Sequence, residues 1–174
     1  MAKHRTHTAA FILGVILLVF LDQYTKFLAK AHLERHTDLV LWKNVFVLRY
    51  IENRGAAFGM MQGGFLFFYL LTTAVLIGIL LILRRTPAAR RYLPLRFGLF
   101  LLFCGALGNL IDRVFRGYVV DFFYFQLIDF PVFNVADCYV TVSAVLLVLL
   151  AFFYYDESEY DYIFHWGKRK GEGH

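Results

Sequence analysis

The hydrophobic residues of this chain fall into four long runs, separated by stretches rich in polar and charged positions. The runs cover residues 9–21, 65–83, 97–111 and 135–155. A helix needs about 20 mostly apolar residues to cross a bilayer. The second and fourth runs are close to that length, and the first and third reach it when their semi-polar flanks are included. The pattern predicts a mainly α-helical, multi-pass membrane protein with four transmembrane helices in one domain, residues 1–174.

A different pattern lies between the first two runs. β-Branched and aromatic residues form two short stretches, Leu39–Trp42 and 45–51, separated by a Lys-Asn pair. Such stretches, bounded by turn residues, are typical of a β-hairpin. We therefore expect a small β-rich segment over residues 38–59 that lies on the extracytoplasmic surface of the membrane. Residues 156–174 form a charged cytoplasmic tail with interspersed aromatic residues, to which we assign no chemistry.

Composition agrees with a membrane protein, and the placement of charge orients it. Hydrophobic residues make up 60% of the chain, more than the roughly 45–50% of ordinary soluble domains. The net charge of +5 comes from basic residues before the first run, between the second and third, and after the fourth: Lys3, Arg5, Arg84, Arg85, Arg90, Arg91, Arg96, Lys168, Arg169 and Lys170. The positive-inside rule then places both termini in the cytoplasm and residues 22–64 and 112–134 outside. This distribution forms no groove-shaped basic patch, which argues against nucleic-acid binding.

Four aspartates come together on the outer side in this orientation: Asp22, Asp112, Asp121 and Asp137. The orientation was inferred from Lys and Arg alone, so the position of all four aspartates on the same side is an independent observation. Ionisable groups at membrane depth are costly and usually functional. In an apolar site two carboxylates do not both ionise readily, and one keeps a proton while the other gives it up. An aspartic protease uses such a pair to activate water against a peptide bond.

Each acid also has a structural interpretation. The segment 134–137 matches a helix N-cap followed by an acid at the third helical position. Asp112 and Arg113 could form an ion pair at the interface, and Asp22 could turn outward to water. Asp121 is harder to explain in this way, because flanking valines and aromatic residues should raise its pKa. The residues alone therefore leave the choice of the catalytic pair open.

Other classes of protein fit the sequence less well. The six histidines fall in the tails and in "HLERH" at 32–36, which lacks the Glu directly after the first His of a zinc-protease helix. We therefore expect no metal or other cofactor. A small ion- or proton-coupled transporter is the main rival, but its charges should lie near mid-membrane or in internal repeats. A non-enzymatic membrane adaptor would give the acids no reason to converge.

Four ordered sequence blocks carry a resemblance to a known family over nearly the whole chain. They are "LDQYTK" at 21–26, "ENRGAAFG" at 52–59, "GALGNLIDRVFRGYVVDFF" at 105–123 and "FNVADCYVTVSA" at 133–144. The chain resembles the lipoprotein signal peptidases, also called signal peptidase II. The resemblance implies four spans with a small extracytoplasmic β-cradle. It also implies an aspartic endopeptidase that cleaves the signal peptide of diacylglyceryl-modified prolipoproteins just before the lipidated cysteine.

The resemblance also assigns residues. Asp121 and Asp137 would form the catalytic pair, and substrate-binding or supporting roles fall to Asn53, Gly55, Asn109, Asp112, Arg113, Asn134, Asp22 and Lys26. The implied partners are the lipid-modified prolipoprotein and membrane lipids, with no cofactor, nucleic acid or obligate protein partner. The implied location is the bacterial cytoplasmic (inner) membrane, with both termini cytoplasmic and the active site at the extracytoplasmic face.

Overall fold

Four long helices dominate the fold. The computed structural model describes residues 2–55, 65–156 and 159, and for residues 2–8 and 65 it describes the backbone alone. The helices are α1 (Ala2–Leu33), α2 (Phe65–Arg85), α3 (Leu93–Arg116) and α4 (Val135–Phe153). Within the described residues, each of the four is long and apolar enough to cross a membrane. The predicted mainly helical, multi-pass fold is confirmed.

The helix ends differ from the predicted runs. Helix α1 continues to Leu33, well past the predicted end at residue 21, and α3 begins at Leu93 instead of residue 97. A hydropathy run stops at its first charged residues, but the helix does not. Asp22 and Lys26 lie one turn apart inside α1 and neutralise each other. Asp22 therefore lies within a helix, and the non-helical segment between α1 and α2 begins only after Leu33.

Three antiparallel strands form one small sheet in the order β1-β2-β3: β1 (Leu39–Trp42), β2 (Phe46–Asn53) and β3 (Val119–Phe125). The β1–β2 hairpin lies in the predicted β-rich segment, of which residues 56–59 lie outside the described part. The sequence did not predict β3, because its first four residues are all buried. Such a strand lacks the alternation of polar and apolar positions that marks a half-buried strand. Its pairing with β2 places Asp121 opposite Ile51.

Two glycines let the helices approach α3 closely. A Cβ atom on Gly105 would lie 2.5 Å from the carbonyl oxygen of Ala136, and one on Gly108 would lie 2.6 Å from Oδ2 of Asp22. Helices in membranes come this close where the facing residue has no side chain. The start of α4 and the Asp22 side chain of α1 therefore both lie against the same stretch of α3.

The sheet is held to α1 by a buried apolar cluster: Ala29, Leu33, Val120 and Phe122. Many large apolar side chains of α1 and α2 are instead exposed, among them Leu13, Leu17, Phe20, Leu66 and Leu70. Lipid tails are as apolar as leucine, so exposed leucines on a membrane helix carry no penalty. The exposed surfaces of α1 and α2 therefore fit contact with lipid, and the cluster fixes β3 beside α1.

Candidate active site

Asp121 and Asp137 reach one cleft from different elements. Asp121 is the third residue of β3, and Asp137 lies in the first turn of α4. The cleft has a volume of about 1670 Å³, and both aspartates line it. A strand carries one aspartate and a helix carries the other, so local structure alone does not bring them together. Tertiary packing is what brings the two carboxylates to the same cavity.

Asp137 is held by the start of its own helix. Asn134 is the N-cap residue, and its side-chain Oδ1 accepts a hydrogen bond from the backbone N–H of Asp137 at 3.0 Å. In return Oδ2 of Asp137 accepts from the backbone N–H of Asn134 at 3.1 Å. This capping box confirms the structural interpretation of the segment 134–137. Asp137 is half-buried, and its other oxygen accepts from Asn109 Nδ2 at 2.8 Å.

Asp121 is almost fully buried and accepts from two amide side chains. Its Oδ1 lies 2.6 Å from Nδ2 of Asn134, and its Oδ2 lies 2.9 Å from Nδ2 of Asn53. Burial, together with the charge of Asp137, raises the pKa of Asp121 to about 7, against the two hydrogen bonds, which lower it. Removal from water disfavours the charged carboxylate. Near neutral pH this residue therefore exchanges a proton readily.

Asn134 and Asn109 connect the two aspartates. Asn134 is fully buried, and its Nδ2 donates both to Asp121 and to Oδ1 of Asn109 at 3.2 Å. Asn109, on α3, donates to Asp137 through its own Nδ2. Asn134 thus bridges Asp121 and Asp137 directly, and Asn109 links Asn134 to Asp137. Asn134 does not line the cleft, so in this structure its amide contacts Asp121 and Asn109 and not the cavity.

Three further predicted residues form a buried ionic group behind the asparagines. The Lys26 ammonium lies 3.0 Å from a carboxylate oxygen of Asp22 and 3.0 Å from one of Asp112. All three side chains are fully buried. The alternative in which Asp22 turns outward to water is therefore wrong. So is the Asp112–Arg113 ion pair, because Asp112 is paired with Lys26 and Arg116.

Arg113 and Gly55 lie in the wall of the cleft. Arg113 donates to the backbone oxygen of Asn109 at 3.3 Å, and its guanidinium lies 5.6 Å from the centre of the Phe68 ring. Gly55 donates its backbone N–H to Oδ1 of Asn53 at 3.1 Å. That bond fixes the orientation of the Asn53 amide, so its NH₂ group faces Asp121. The structure therefore brings every predicted site residue either into the cleft or directly behind it.

Sequence reasoning missed two residues that complete the ionic group. Gln23 Nε2 lies 3.1 Å from oxygens of Asp22 and Asp112, and Arg116 donates to Asp112 and to Gln23. A signal for each existed in the sequence. Gln23 lies inside the quoted "LDQYTK" block, and Arg116 follows Asp112 by four residues, the spacing of an ion pair on one helix face.

The rest of the cleft is mostly apolar, with a polar patch at one side. Its apolar lining comes from the segment after β3 and from α4: Ile128, Phe130, Pro131, Val132, Phe133, Cys138 and Val142. The polar patch contains Arg49, which pairs with Asp38 at 2.6 Å and lies 4.4 Å from the Tyr124 ring centre. A ligand with an apolar part and a polar backbone would match such a cavity. Among the described residues, no group of three His, Cys, Asp or Glu is placed to hold a metal ion.

Comparison with known proteins points to one family. A family model described as Signal peptidase (SPase) II matches residues 14–153. The lipoprotein signal peptidase of Geobacillus thermodenitrificans is 42% identical over 139 residues, which cover 79% of this chain and 86% of that protein. The lipoprotein signal peptidase of Caldanaerobacter subterraneus is 45% identical over 143 residues, covering 82% and 95%.

Solved structures of bacterial membrane enzymes have a similar fold. A bacterial membrane enzyme determined by the in meso method at 2.3 Å resolution matches with a TM-score of 0.73 and 32% identity, over 82% of this chain and 87% of that one. A second such structure, at 1.9 Å resolution, matches with a TM-score of 0.73 and 31% identity, over 83% and 94%. The resemblance read from the four sequence blocks is confirmed. The chain is a multi-pass bacterial membrane protein and belongs to the signal peptidase II family of peptidases.

Proposed function

We propose that this protein is an aspartic endopeptidase that removes the signal peptide from lipid-modified prolipoproteins, with Asp121 and Asp137 as its catalytic pair. The observation that carries this proposal is that both carboxylates line one cleft and are joined behind it by Asn134. Family membership supports a peptidase acting on prolipoproteins. The carboxylate pair supplies the chemistry that such a peptidase needs.

The two carboxylates lie in different environments, which assigns them different roles. Asp121 is buried, and its pKa of about 7 lets it hold a proton near neutral pH. Asp137 is half-buried in the first turn of α4, lines the cleft, and accepts hydrogen bonds from Asn109 Nδ2 and from the backbone N–H of Asn134, so we assign it the complementary role. Asp137 is therefore the general base and Asp121 the general acid.

The reaction then proceeds in two steps. Water bonds to the peptide carbonyl carbon while Asp137 accepts one of its protons, and Asp121 gives its proton to the carbonyl oxygen. The C–N bond next breaks as Asp137 passes its proton to the leaving amine, and Asp121 takes a proton back from one hydroxyl. Both aspartates return to their starting states, and a carboxyl group and an amine are released.

The position of the cleft fits a lipidated substrate. The dyad lies near the end of α3 and at the start of α4, beside a cavity with an apolar lining. Acyl chains fix the depth of a membrane-anchored peptide, since each buried methylene contributes about 0.8 kcal/mol. We infer that the scissile bond lies just before the lipidated cysteine. We also infer that the active site faces the extracytoplasmic side and that both termini are cytoplasmic, in agreement with the distribution of Lys and Arg.

The test compares two forms of one precursor. Purified protein is incubated with a diacylglyceryl-modified prolipoprotein and with the same precursor without lipid, and mass spectrometry identifies the products. We expect cleavage of the lipidated form alone, at the bond before the modified cysteine. Equal cleavage of both forms would show that the enzyme does not require the diacylglyceryl group on its substrate. No cleavage of either form, with transport of an ion across vesicles instead, would favour the transporter.

Substitutions test the dyad itself. Asp121→Asn and Asp137→Asn should each lower the cleavage rate by at least about 10²-fold, because each removes one partner of general acid–base catalysis. The matched control is Asp129→Asn, which neutralises an exposed aspartate in the wall of the same cleft. Its rate should stay close to that of the wild type. Near-normal activity of either dyad variant would refute the aspartic mechanism.

A further inference from the structure

The ion group of Asp22, Lys26 and Asp112 has no access to the cleft. None of the three residues lines it, and all three side chains have an exposed fraction of 0%. A buried ion pair is often no more stabilising than apolar residues of the same size. Stability alone therefore does not account for three charges at this place, and their other contacts indicate what they do.

Each of the two carboxylates holds the backbone next to one member of the dyad. Oδ1 of Asp22 accepts a hydrogen bond from the backbone N–H of Ala136 at 2.9 Å, and Ala136 directly precedes Asp137. Oδ2 of Asp112 accepts from the backbone N–H of Val120 at 3.1 Å, and Val120 directly precedes Asp121. These two contacts run from α1 to α4 and from α3 to β3.

Lys26 joins the two contacts. Its ammonium group binds Asp22 and Asp112 at 3.0 Å each. The segments that carry the two catalytic carboxylates are thus tied to a single buried nitrogen through one carboxylate each. Gln23 and Arg116 add further bonds to the same carboxylates, so the group contains two cations and two anions.

The third hydrogen bond of Lys26 orients an amide. Lys26 donates to Oδ1 of Asn109 at 2.9 Å. A lysine ammonium has only donors, so the oxygen of the Asn109 amide must face Lys26. The NH₂ group of the same amide must then face Asp137, to which it donates at 2.8 Å. The three protons of Lys26 therefore go to groups that bind either Asp137 itself or the backbone directly before Asp121 and Asp137.

We infer that Lys26, with Asp22 and Asp112, is a positioning device that sets the separation and the protonation of the catalytic pair. This inference rests on the proposed function, because the proposed function assigns Asp121 and Asp137 their roles as acid and base. Lys26 acts through Ala136, Val120 and Asn109 and touches no substrate. Its positive charge also lies near enough to the dyad to lower the pKa of Asp121, against the larger raising effect of burial.

The test is the alkaline limb of the rate–pH profile, where Asp121 loses its proton. Lys26→Met removes a positive charge, so the pKa of Asp121 should rise and the limb should move to higher pH by roughly half a unit or more. Asp22→Asn removes a negative charge with little change in side-chain size, so the limb should move to lower pH. Other charged groups on the elements around Asp121 stay unchanged in both variants: Arg49, Glu52, Arg54, Asp112, Arg113, Arg116, Asp129 and Asp137.

The matched control is Lys30→Met, one turn further along α1. Lys30 is 41% exposed, and it binds Glu34 and Tyr118 instead of the ionic group. Its substitution should leave the limb in place. Lys26→Met should also lower kcat about tenfold or more with little change in KM, because the general acid and base are misplaced while the cleft wall is intact.

The result that overturns the inference is a limb that stays at the wild-type pH in both the Lys26 and Asp22 variants. A purely structural role lowers the amount of active protein equally at every pH and cannot move the limb in opposite directions. Asp22→Asn is nearly isosteric and decides the matter if Lys26→Met does not fold. Failure of the proposed function is seen separately, as normal activity of Asp121→Asn or Asp137→Asn.

Discussion

At the scale of single residues, the environment of Asp121 suits it to the proposed role of general acid. The carboxylate is removed from water, which raises its pKa to about 7, yet both of its oxygens accept amide hydrogen bonds. Burial disfavours the charge, and the hydrogen bonds favour it. The balance leaves a group that can give and recover a proton near neutral pH. A carboxylate with an ordinary pKa could not serve as the acid under these conditions.

We therefore expect the cleavage rate to fall as the pH rises through about 7. Above its folded-state pKa, Asp121 is ionised and has no proton to give to the peptide carbonyl oxygen. The measurement is kcat/KM for a lipidated precursor between pH 5 and pH 9, a range of roughly two units on each side of that pKa. A rate that stays constant up to pH 9 would contradict the role of Asp121 as the general acid.

Asn53 provides a second prediction at this scale. Its amide NH₂ donates to Asp121 and stabilises the ionised form. Asn53→Ala should therefore raise the pKa of Asp121, move the alkaline limb to higher pH and lower the maximal rate. Asn44→Gly is the control, since it removes an exposed asparagine at the β1–β2 turn with a backbone φ of 60° that glycine accepts. A limb that moves to lower pH in Asn53→Ala would show that this hydrogen bond does not act on the ionised carboxylate.

At the scale of secondary-structure elements, the contact between α3 and α4 decides where Asp137 lies. Gly105 faces the backbone oxygen of Ala136 and the side chain of Val140. No room is left for a side chain at this position. Asn109, one turn later on α3, can reach Asp137 at 2.8 Å because the two helices are so close.

Gly105→Ala should separate these helices and destabilise the protein by about 1–3 kcal/mol, as expected of overpacking in a tight contact. Since Asp137 moves with α4, the cleavage rate should fall as well. Gly78→Ala is the matched control, because a Cβ atom there would meet nothing within 4 Å. Thermal unfolding in detergent and the cleavage rate measure both effects. Equal behaviour of the two variants would exclude the close contact as the determinant of Asp137 placement.

At the scale of the whole molecule, the buried charged side chains of the described residues all lie at one end of the helical body. These charges, both cleft aspartates and the sheet lie together, while large apolar side chains are exposed along α1, α2 and α4. A transporter would place its charged groups near mid-membrane. The clustering at one end instead suits an enzyme that meets its substrate at the bilayer surface.

The orientation in the membrane can be tested directly. The link between α2 and α3 carries Arg84, Arg85, Arg90 and Arg91, so a cysteine at Ala89 should face the cytoplasm. In intact cells, a membrane-impermeant maleimide should not label Ala89→Cys, whereas it should label Trp42→Cys in the outer hairpin. Both native cysteines lie within spanning helices and are replaced by alanine or serine for this experiment. Labelling of residue 89 alone would reverse the orientation.

The sequence by itself determined the four helices and the β1–β2 hairpin, and it predicts the orientation of the helices from the positions of Lys and Arg. Hydropathy and strand patterns are local properties, and a short window of residues contains them. It also singled out Asp121 as an acid in apolar surroundings. The choice of Asp137 as its partner came from family blocks, because four aspartates share one side of the membrane and residue types alone do not rank them.

Only the tertiary structure decided which of those acids meet. The sequence was compatible with Asp22 and Asp112 being exposed to water or facing lipid. In the structure both are buried and form ion pairs with Lys26. Strand β3 and the hydrogen bonds that Asn109 and Asn134 make to distant residues were likewise invisible in the sequence, since each depends on partners 13 or more residues away. A carboxylate becomes a catalyst or a structural anion according to what packs against it, and packing is a property of the folded chain.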